Sequence, residues 1–129
     1  MPFTSFAEDS TTKIDFSAQV LNLDGKPFLD CKKIADDKKS CEREAPVLLE
    51  DIVIMSLNAV TGDLATQKTA FRVMQSISNN KSVELTSTEQ KVIVDALWAL
   101  RDKAAARGIV YPLAQVASAV RMINPADVK

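Results

Sequence analysis

The side chains that most often perform chemistry in proteins are missing from this chain. Its 129 residues include no histidine, so the commonest general base and metal ligand is absent, and neither a serine–histidine nor a cysteine–histidine nucleophile can be assembled from this sequence alone. The glycines Gly25, Gly62 and Gly108 are isolated, so they cannot form a glycine-rich phosphate-binding loop. We therefore predict that the protein is not an enzyme and that it binds no cofactor.

Neighbouring carboxylates are the remaining candidates for acid–base chemistry or metal binding. Two groups, Asp36-Asp37 and Glu42 with Glu44, lie in a strongly charged segment where solvation explains them. A third, Glu50-Asp51, falls in the first turn of a predicted helix, where the helix dipole favours negative charge. Since each group has an ordinary structural explanation, we predict no catalytic and no metal-binding residues.

The two cysteines, Cys31 and Cys41, lie close together in a stretch rich in lysine and aspartate. A reducing cytosol favours free thiols. A disulfide across this short segment is sterically conceivable, and it would contribute up to about 3 kcal/mol in the chain-entropy model. A zinc site is disfavoured because, without histidine, it would need carboxylates or a second chain to complete it.

Composition indicates an ordinary globular chain. Hydrophobic residues make up 47% of the sequence and charged residues 26%, and the scarcity of glycine and proline disfavours an all-β fold. The net charge of −1 argues against a nucleic-acid partner. No apolar run is long enough to span a membrane, and residues 1–9 lack the features of a signal peptide. The expected location is the cytoplasm in which the chain is made.

Apolar patterning predicts one α+β domain over residues 13–129, preceded by a flexible N-terminal arm at residues 1–12. The domain is expected to begin with a β-hairpin over residues 13–29, with Asp24-Gly25 as its tight turn. Its first strand is indicated by four apolar residues that alternate with polar ones: Ile14, Phe16, Ala18 and Val20. The pattern of Val83-Glu84-Leu85 allows a third short strand beside the hairpin.

Residues 30–46 hold five basic and five acidic side chains and few apolar ones, so we predict a charged, solvated loop. The apolar segment that follows, Val47 to Val60, predicts a central helix that is buried on more than one face and receives the inward side of the hairpin.

Three further helices are predicted after the central one. The second runs from about Thr66 to Ser78, and its inward stripe is Ala70, Phe71, Met74 and Ile77. The third begins at a capping box formed by Thr86 and Glu89 and ends near Gly108. The fourth has Pro112 in its first turn, and its inward face is Leu113, Val116, Ala117, Val120 and Ile123.

The third and fourth helices also permit a helix-turn-helix interpretation. The second helix of such a unit would offer only Gln115, Ser118 and Arg121 as polar readers, whereas a DNA-binding helix normally brings more Lys and Arg to the phosphates. A helical hairpin packed for stability is therefore the favoured interpretation.

Five residues are candidates for contacts with a protein partner. Trp98 is the single tryptophan, and it suits either the core or an interface. Phe3 and Phe6 place two aromatic rings on an otherwise polar segment, where they suit docking on this chain or on a neighbouring subunit. Cys31 and Cys41 complete the set because they lie in the charged segment.

The order of segments resembles a group of small proteins encoded by tailed bacteriophages and prophages. In that group a hairpin with a DGK turn precedes a helix with an L-x-D-hydrophobic start, and a capping box precedes two C-terminal helices. The corresponding segments here are Lys13-Ile14-Asp15-Phe16, Leu23-Asp24-Gly25-Lys26-Pro27, Leu49 to Leu57 and Val83-Glu84-Leu85-Thr86. The resemblance covers roughly residues 13–120.

This resemblance implies a phage protein that acts through protein–protein contacts, as a virion component or as an assembly factor. A soluble phage regulator or inhibitor that binds a host protein is the alternative. The partner would be another copy of the chain or another phage or host protein, with no membrane and no nucleic acid involved. The protein would then be found in the host cytoplasm, or in the virion if it is a structural component.

Overall fold

Four helices and four strands occur in the parts of the chain that the computed structural model describes, residues 11–37, 40–108 and 112–125. This composition confirms the α+β class. In chain order the elements are β1 (Thr11–Asp15), β2 (Leu29–Ile34), β3 (Cys41–Pro46), α1 (Leu49–Asn58), α2 (Leu64–Asn79), β4 (Ser82–Thr86), α3 (Ser87–Ala106) and α4 (Leu113–Ile123).

The first strand pairs with the last one and not with its neighbour in sequence. β1 and β4 are antiparallel, from Thr11 opposite Thr86 to Asp15 opposite Ser82. The predicted third strand is thus confirmed, while the predicted 13–29 hairpin is wrong. The chain turns away after β1 because the Asp15 carboxylate accepts hydrogen bonds from the Ser17 N–H (2.9 Å) and hydroxyl (2.6 Å). Thr11 and Thr12, which were predicted to belong to the arm, lie in β1, and the rest of the predicted arm lies outside the described residues.

The Asp24-Gly25 turn exists, although it does not join two regular strands. The Gly25 N–H donates to the Asn22 carbonyl (3.0 Å), and Gly25 has a φ of 83°, which favours glycine. The chain beside this turn pairs irregularly: Leu21 and Pro27 form an isolated bridge, the Asn22 N–H donates to the Lys26 carbonyl (2.7 Å), and the Phe28 N–H donates to the Val20 carbonyl (3.1 Å). The turn chemistry was therefore readable from the sequence, but the strand pairing was not.

The segment predicted as a charged loop is a β-hairpin closed by a disulfide. β2 and β3 pair antiparallel over most of residues 29–46, and Cys31 is bonded to Cys41, with a distance of 5.7 Å between their Cα atoms. The solvated-loop prediction and the preference for free thiols are both wrong. These strands show no alternation of apolar and polar residues, because most of their side chains face solvent. The disulfide, in place of a buried apolar face, links the two strands.

The segment between β1 and β2 packs over the start of α1. The carbonyls of Phe16 and Ala18 accept hydrogen bonds from the Glu50 and Leu49 amides, each at 2.8 Å. These first-turn amides have no partner within their own helix, so the segment satisfies them. Phe16 and Val20 are fully buried, which confirms that this apolar stretch rests on the α1 segment.

α1 packs against all three other helices, as predicted for a central helix, and α3 does so too. The buried residues of α1 form a single stripe, Leu49, Ile52, Val53, Ser56 and Leu57, while Met55 is 43% exposed, so the prediction of burial on more than one face is wrong. α3 supplies the largest share of the remaining core, and its capping box is present, with the Glu89 N–H donating to Thr86 Oγ1 (3.2 Å) and the Thr86 N–H donating to Glu89 Oε1 (2.8 Å).

Two residues predicted to face inward face solvent instead. Phe71 is 59% exposed, because Ala70, Val73 and Ile77 form the inward stripe of α2 and Phe71 lies about 100° around the helix from Ala70. Leu113 is 55% exposed at the first position of α4. Periodicity shows which residues share a helix face, but not how far the neighbouring elements extend along it.

Candidate functional site

The structure separates the predicted contact residues. Cys31 and Cys41 are both exposed and are joined on the β2–β3 hairpin. Trp98 is half-buried and packs against the hydrophobic core, so it contributes at least part of its ring to folding. Phe3 and Phe6 lie outside the described residues.

The hairpin presents exposed apolar residues on one face. The β2–β3 register places Leu29 opposite Pro46 and Ile34 opposite Cys41, and the Cys31–Cys41 disulfide lies between these pairs. Directly opposed residues of an antiparallel ladder project from the same face of the sheet. Leu29 and Ile34 are 56% and 63% exposed. Leu29, Ile34 and the disulfide therefore lie on one face of the hairpin, which also carries Glu44 opposite Cys31; we call this surface the hairpin face.

An irregularity in the strands produces this arrangement. The register shifts between Cys31 and Lys33 and again between Lys33 and Ile34. In a regular strand residues 31 and 34 would point to opposite faces, because side chains alternate with a period of two. The bulge returns Ile34 to the side that carries the disulfide.

The hairpin face continues onto the helical body. A groove of about 230 Å³ lies at the base of the hairpin, and Leu29 lines it together with Met55 of α1 and Pro112 before α4. Met55 and Pro112 are both exposed. Asp30, Asp51 and Gln115 also line this groove, so the surface that extends from the hairpin to α1 mixes apolar and polar side chains.

The charges of the hairpin balance one another. Residues 30–46 carry five basic and five acidic side chains, and Lys33 Nζ lies 3.4 Å from Glu42 Oε2 in an exposed ion pair. Exposed pairs of this kind contribute little to stability. The segment therefore carries charges of both signs but no net charge that would repel a partner.

A second surface feature is a groove of about 400 Å³ along α3, which we call the α3 groove. Its floor is apolar and consists mainly of small side chains: Val60, Val92, Ala96, Ala99 and Leu100. Lys91 and Asp95 pair at its rim (3.2 Å), and Lys103 Nζ donates to the Ala59 carbonyl (2.6 Å) at the end of α1. Because its floor is apolar, the groove is suited to hold an apolar group.

Two carboxylates have a pKa lowered by hydrogen bonds, and both have structural roles. Asp15 accepts from the side chain and the backbone of Ser17, and these bonds lower its pKa. Asp63 caps the start of α2, where hydrogen bonds from the side chain and the backbone of Thr66 lower its pKa. Both hydrogen-bonded pairs are exposed and local in sequence: the Asp15–Ser17 pair fixes the turn after β1, and the Asp63–Thr66 pair fixes the start of α2.

Within the described ranges, no cluster of three or more Cys, Asp or Glu side chains could hold a metal ion. None of the helices in this part of the chain combines the length and the apolar character needed to cross a bilayer.

No protein-family model, curated protein or solved structure matches this chain. Function is therefore inferred from its own residues. The sequence analysis missed Leu29, Ile34 and Met55, although one signal was present. Ile34 is the one large aliphatic residue between the two cysteines, in a segment that is otherwise charged or small.

Proposed function

We propose that this protein acts by binding protein, without a reaction of its own, and that its hairpin face contacts a second copy of the chain. The observation that carries this proposal is the exposure of Leu29 and Ile34 on either side of a surface disulfide. A hydrophobic side chain gains about 1.5–3 kcal/mol when it is fully removed from water. A partner that covers both residues would recover that free energy.

The disulfide improves the hairpin as a binding element. A cross-linked pair of strands has already lost much of its conformational freedom, so less entropy is lost when it binds. The balanced charges favour a second copy as the partner, because two neutral hairpins approach without net repulsion and each offers both signs for pairing across a two-fold axis.

The small area of the hairpin face fits an assembly better than an isolated tight dimer. A stable interface usually buries roughly 1,600 Å² in total, which is more than a few side chains provide. Repeated weak contacts gain strength when many copies are held together. The resemblance to small phage proteins supports this context, and we propose a phage virion component or assembly factor.

Sedimentation velocity over a wide range of protein concentration tests the proposal. We expect reversible self-association, and we expect Ile34→Lys to weaken it by about tenfold or more, since a loss of 1.4 kcal/mol corresponds to a factor of ten. Leu64→Lys is the matched control, because Leu64 is 64% exposed, close to the 63% of Ile34, and lies at the start of α2 away from the hairpin. Leu29→Lys provides a second test at the other end of the hairpin face.

The two variants separate the possible outcomes. A protein that remains monomeric at every concentration would overturn the second copy as the partner. If a host-cell pull-down then returned one stoichiometric protein that Ile34→Lys releases and Leu64→Lys retains, the role would be that of a phage regulator of a host protein. Equal effects of the two lysine variants would remove the hairpin face as the interface.

A further inference from the structure

The α3 groove has a defined length and direction. Its lining follows one side of α3 from Thr88 to Lys103. At 1.5 Å per residue this side of the helix is roughly 22 Å long. The apolar floor lies in the middle of this length, and the charged rim residues Lys91 and Asp95 lie towards the Thr88 end. A lining of this length has room for an extended segment.

The described chain begins at one end of this groove. Thr11 pairs with Thr86, and Thr88 lies only two residues beyond Thr86. The segment before Thr11, residues 1–10, therefore starts beside the groove. Ten extended residues reach roughly 33 Å, which exceeds the length of the groove.

That segment carries aromatic and acidic residues at distances along the chain that correspond to the apolar floor and to the rim, where Lys91 pairs with Asp95. Phe6 lies five residues before Thr11, an extended reach of roughly 17 Å, and this is about the distance along the helix from Thr88 to Ala99. Phe3 reaches further, towards the Lys103 end. Glu8 and Asp9 are the acidic residues nearest Thr11, and Lys91 lies on the rim one turn beyond Thr88.

We propose that the α3 groove is the docking site of this chain's own N-terminal segment, residues 1–10. Phe6 fills the apolar floor beside Ala99, Phe3 covers the far end, and Glu8 and Asp9 approach Lys91. Docking removes two aromatic rings from water and covers an apolar groove. The contact is intramolecular and does not involve the hairpin face, so it is independent of the self-association proposed above.

Amide hydrogen exchange of the full chain, with a synthetic peptide of residues 1–10 as the unprotected reference, tests this docking. We expect amides between Phe3 and Asp9 to exchange at least about tenfold more slowly in the protein than in the peptide. Ala99→Tyr fills the groove and should return these amides to the peptide rates. Ala105→Tyr, at an exposed position of the same helix, should leave them protected.

A charge variant supplies a second measurement that does not depend on a core change. Lys91 is exposed, so Lys91→Glu should preserve the fold and should increase exchange of the amides near Glu8 by a smaller factor than Ala99→Tyr does. Peptide-like exchange in the unmodified protein would overturn the proposal, and so would protection that Ala99→Tyr does not change. Protection that disappears on dilution would assign the groove to the segment of a second copy and would overturn docking within one chain.

Discussion

The disulfide between Cys31 and Cys41 should stabilise the hairpin locally and should contribute little to the stability of the helical body. β2 and β3 pack mainly against each other, and most of their side chains are exposed. A two-stranded hairpin is marginally stable at best in water. Removal of the cross-link by the double change Cys31→Ser/Cys41→Ser, or by a reductant, should therefore open the hairpin while the body remains folded.

The size of this effect follows from the closed loop. The two cysteines are separated by 10 positions in sequence. For a loop of this length the chain-entropy model gives a stabilisation of about 3 kcal/mol at 25 °C, which is an upper value because the open hairpin retains some order. Since 1.4 kcal/mol corresponds to a factor of ten, the population of the open hairpin should rise by up to about a hundredfold.

Amide hydrogen exchange distinguishes the hairpin from the body. The Ala35 N–H donates to the Ser40 carbonyl (2.9 Å) inside the cross-linked loop, whereas the Val47 N–H donates to the Phe28 carbonyl (2.8 Å) at the base. Loss of the disulfide should accelerate exchange at Ala35 and leave exchange at Val47 and in α3 nearly unchanged. A similar acceleration at all these amides, or a cooperative loss of helical circular dichroism, would refute the local role of the disulfide. So would unchanged exchange at Ala35.

Two further predictions concern the helical body. Phe16 is fully buried and Phe71 is 59% exposed, so Phe16→Ala should lower the free energy of unfolding by about 3–5 kcal/mol and Phe71→Ala by no more than about 0.5 kcal/mol. Chemical denaturation measures both, and comparable losses would contradict the orientation of α2. The pKa of Asp63 is lower in the folded than in the unfolded state, so its ionised carboxylate stabilises the fold at neutral pH. This stabilisation is lost as the pH falls below about 4 and the carboxylate becomes protonated in the folded state. Asp63→Asn should therefore reduce the decline of the melting temperature over this acidic range, and an unchanged decline would show that other carboxylates cause it.

The helical body and the β2–β3 hairpin differ in how their apolar residues are exposed. The helical body contains almost all of the buried apolar residues, and the hairpin contains two of the most exposed ones. If the body stays folded when the hairpin opens, its stability does not depend on the side chains of β2 and β3, as the proposed contact role of the hairpin requires. The Cys31→Ser/Cys41→Ser variant tests whether the body is stable without the hairpin, and Ile34→Lys tests whether the hairpin serves contacts.

Features determined by neighbouring residues could be predicted from the sequence. The capping box of Thr86 and Glu89 and the tight turn at Asp24-Gly25 both form as expected. Each depends on hydrogen bonds or backbone angles within four or five residues, so the local sequence contains all the required information. The main buried stripe of α1 was also predictable, because Leu49, Ile52, Val53 and Leu57 recur at helical spacing.

Features determined by distant residues were decided by the tertiary structure. The residues of β1 do not specify a particular partner strand. Its partner is β4, which lies about seventy residues further along the chain. The β2–β3 hairpin was hidden because its exposed strands lack an inward-facing apolar stripe, and the disulfide became visible only when the register placed Cys31 and Cys41 on one face. The same register created the hairpin face from Leu29 and Ile34. The sequence by itself thus determined which residues could be buried and where helices begin and end, because those properties are local. Only the tertiary structure decided which strands pair and which apolar residues remain exposed, because both depend on how distant segments are brought together.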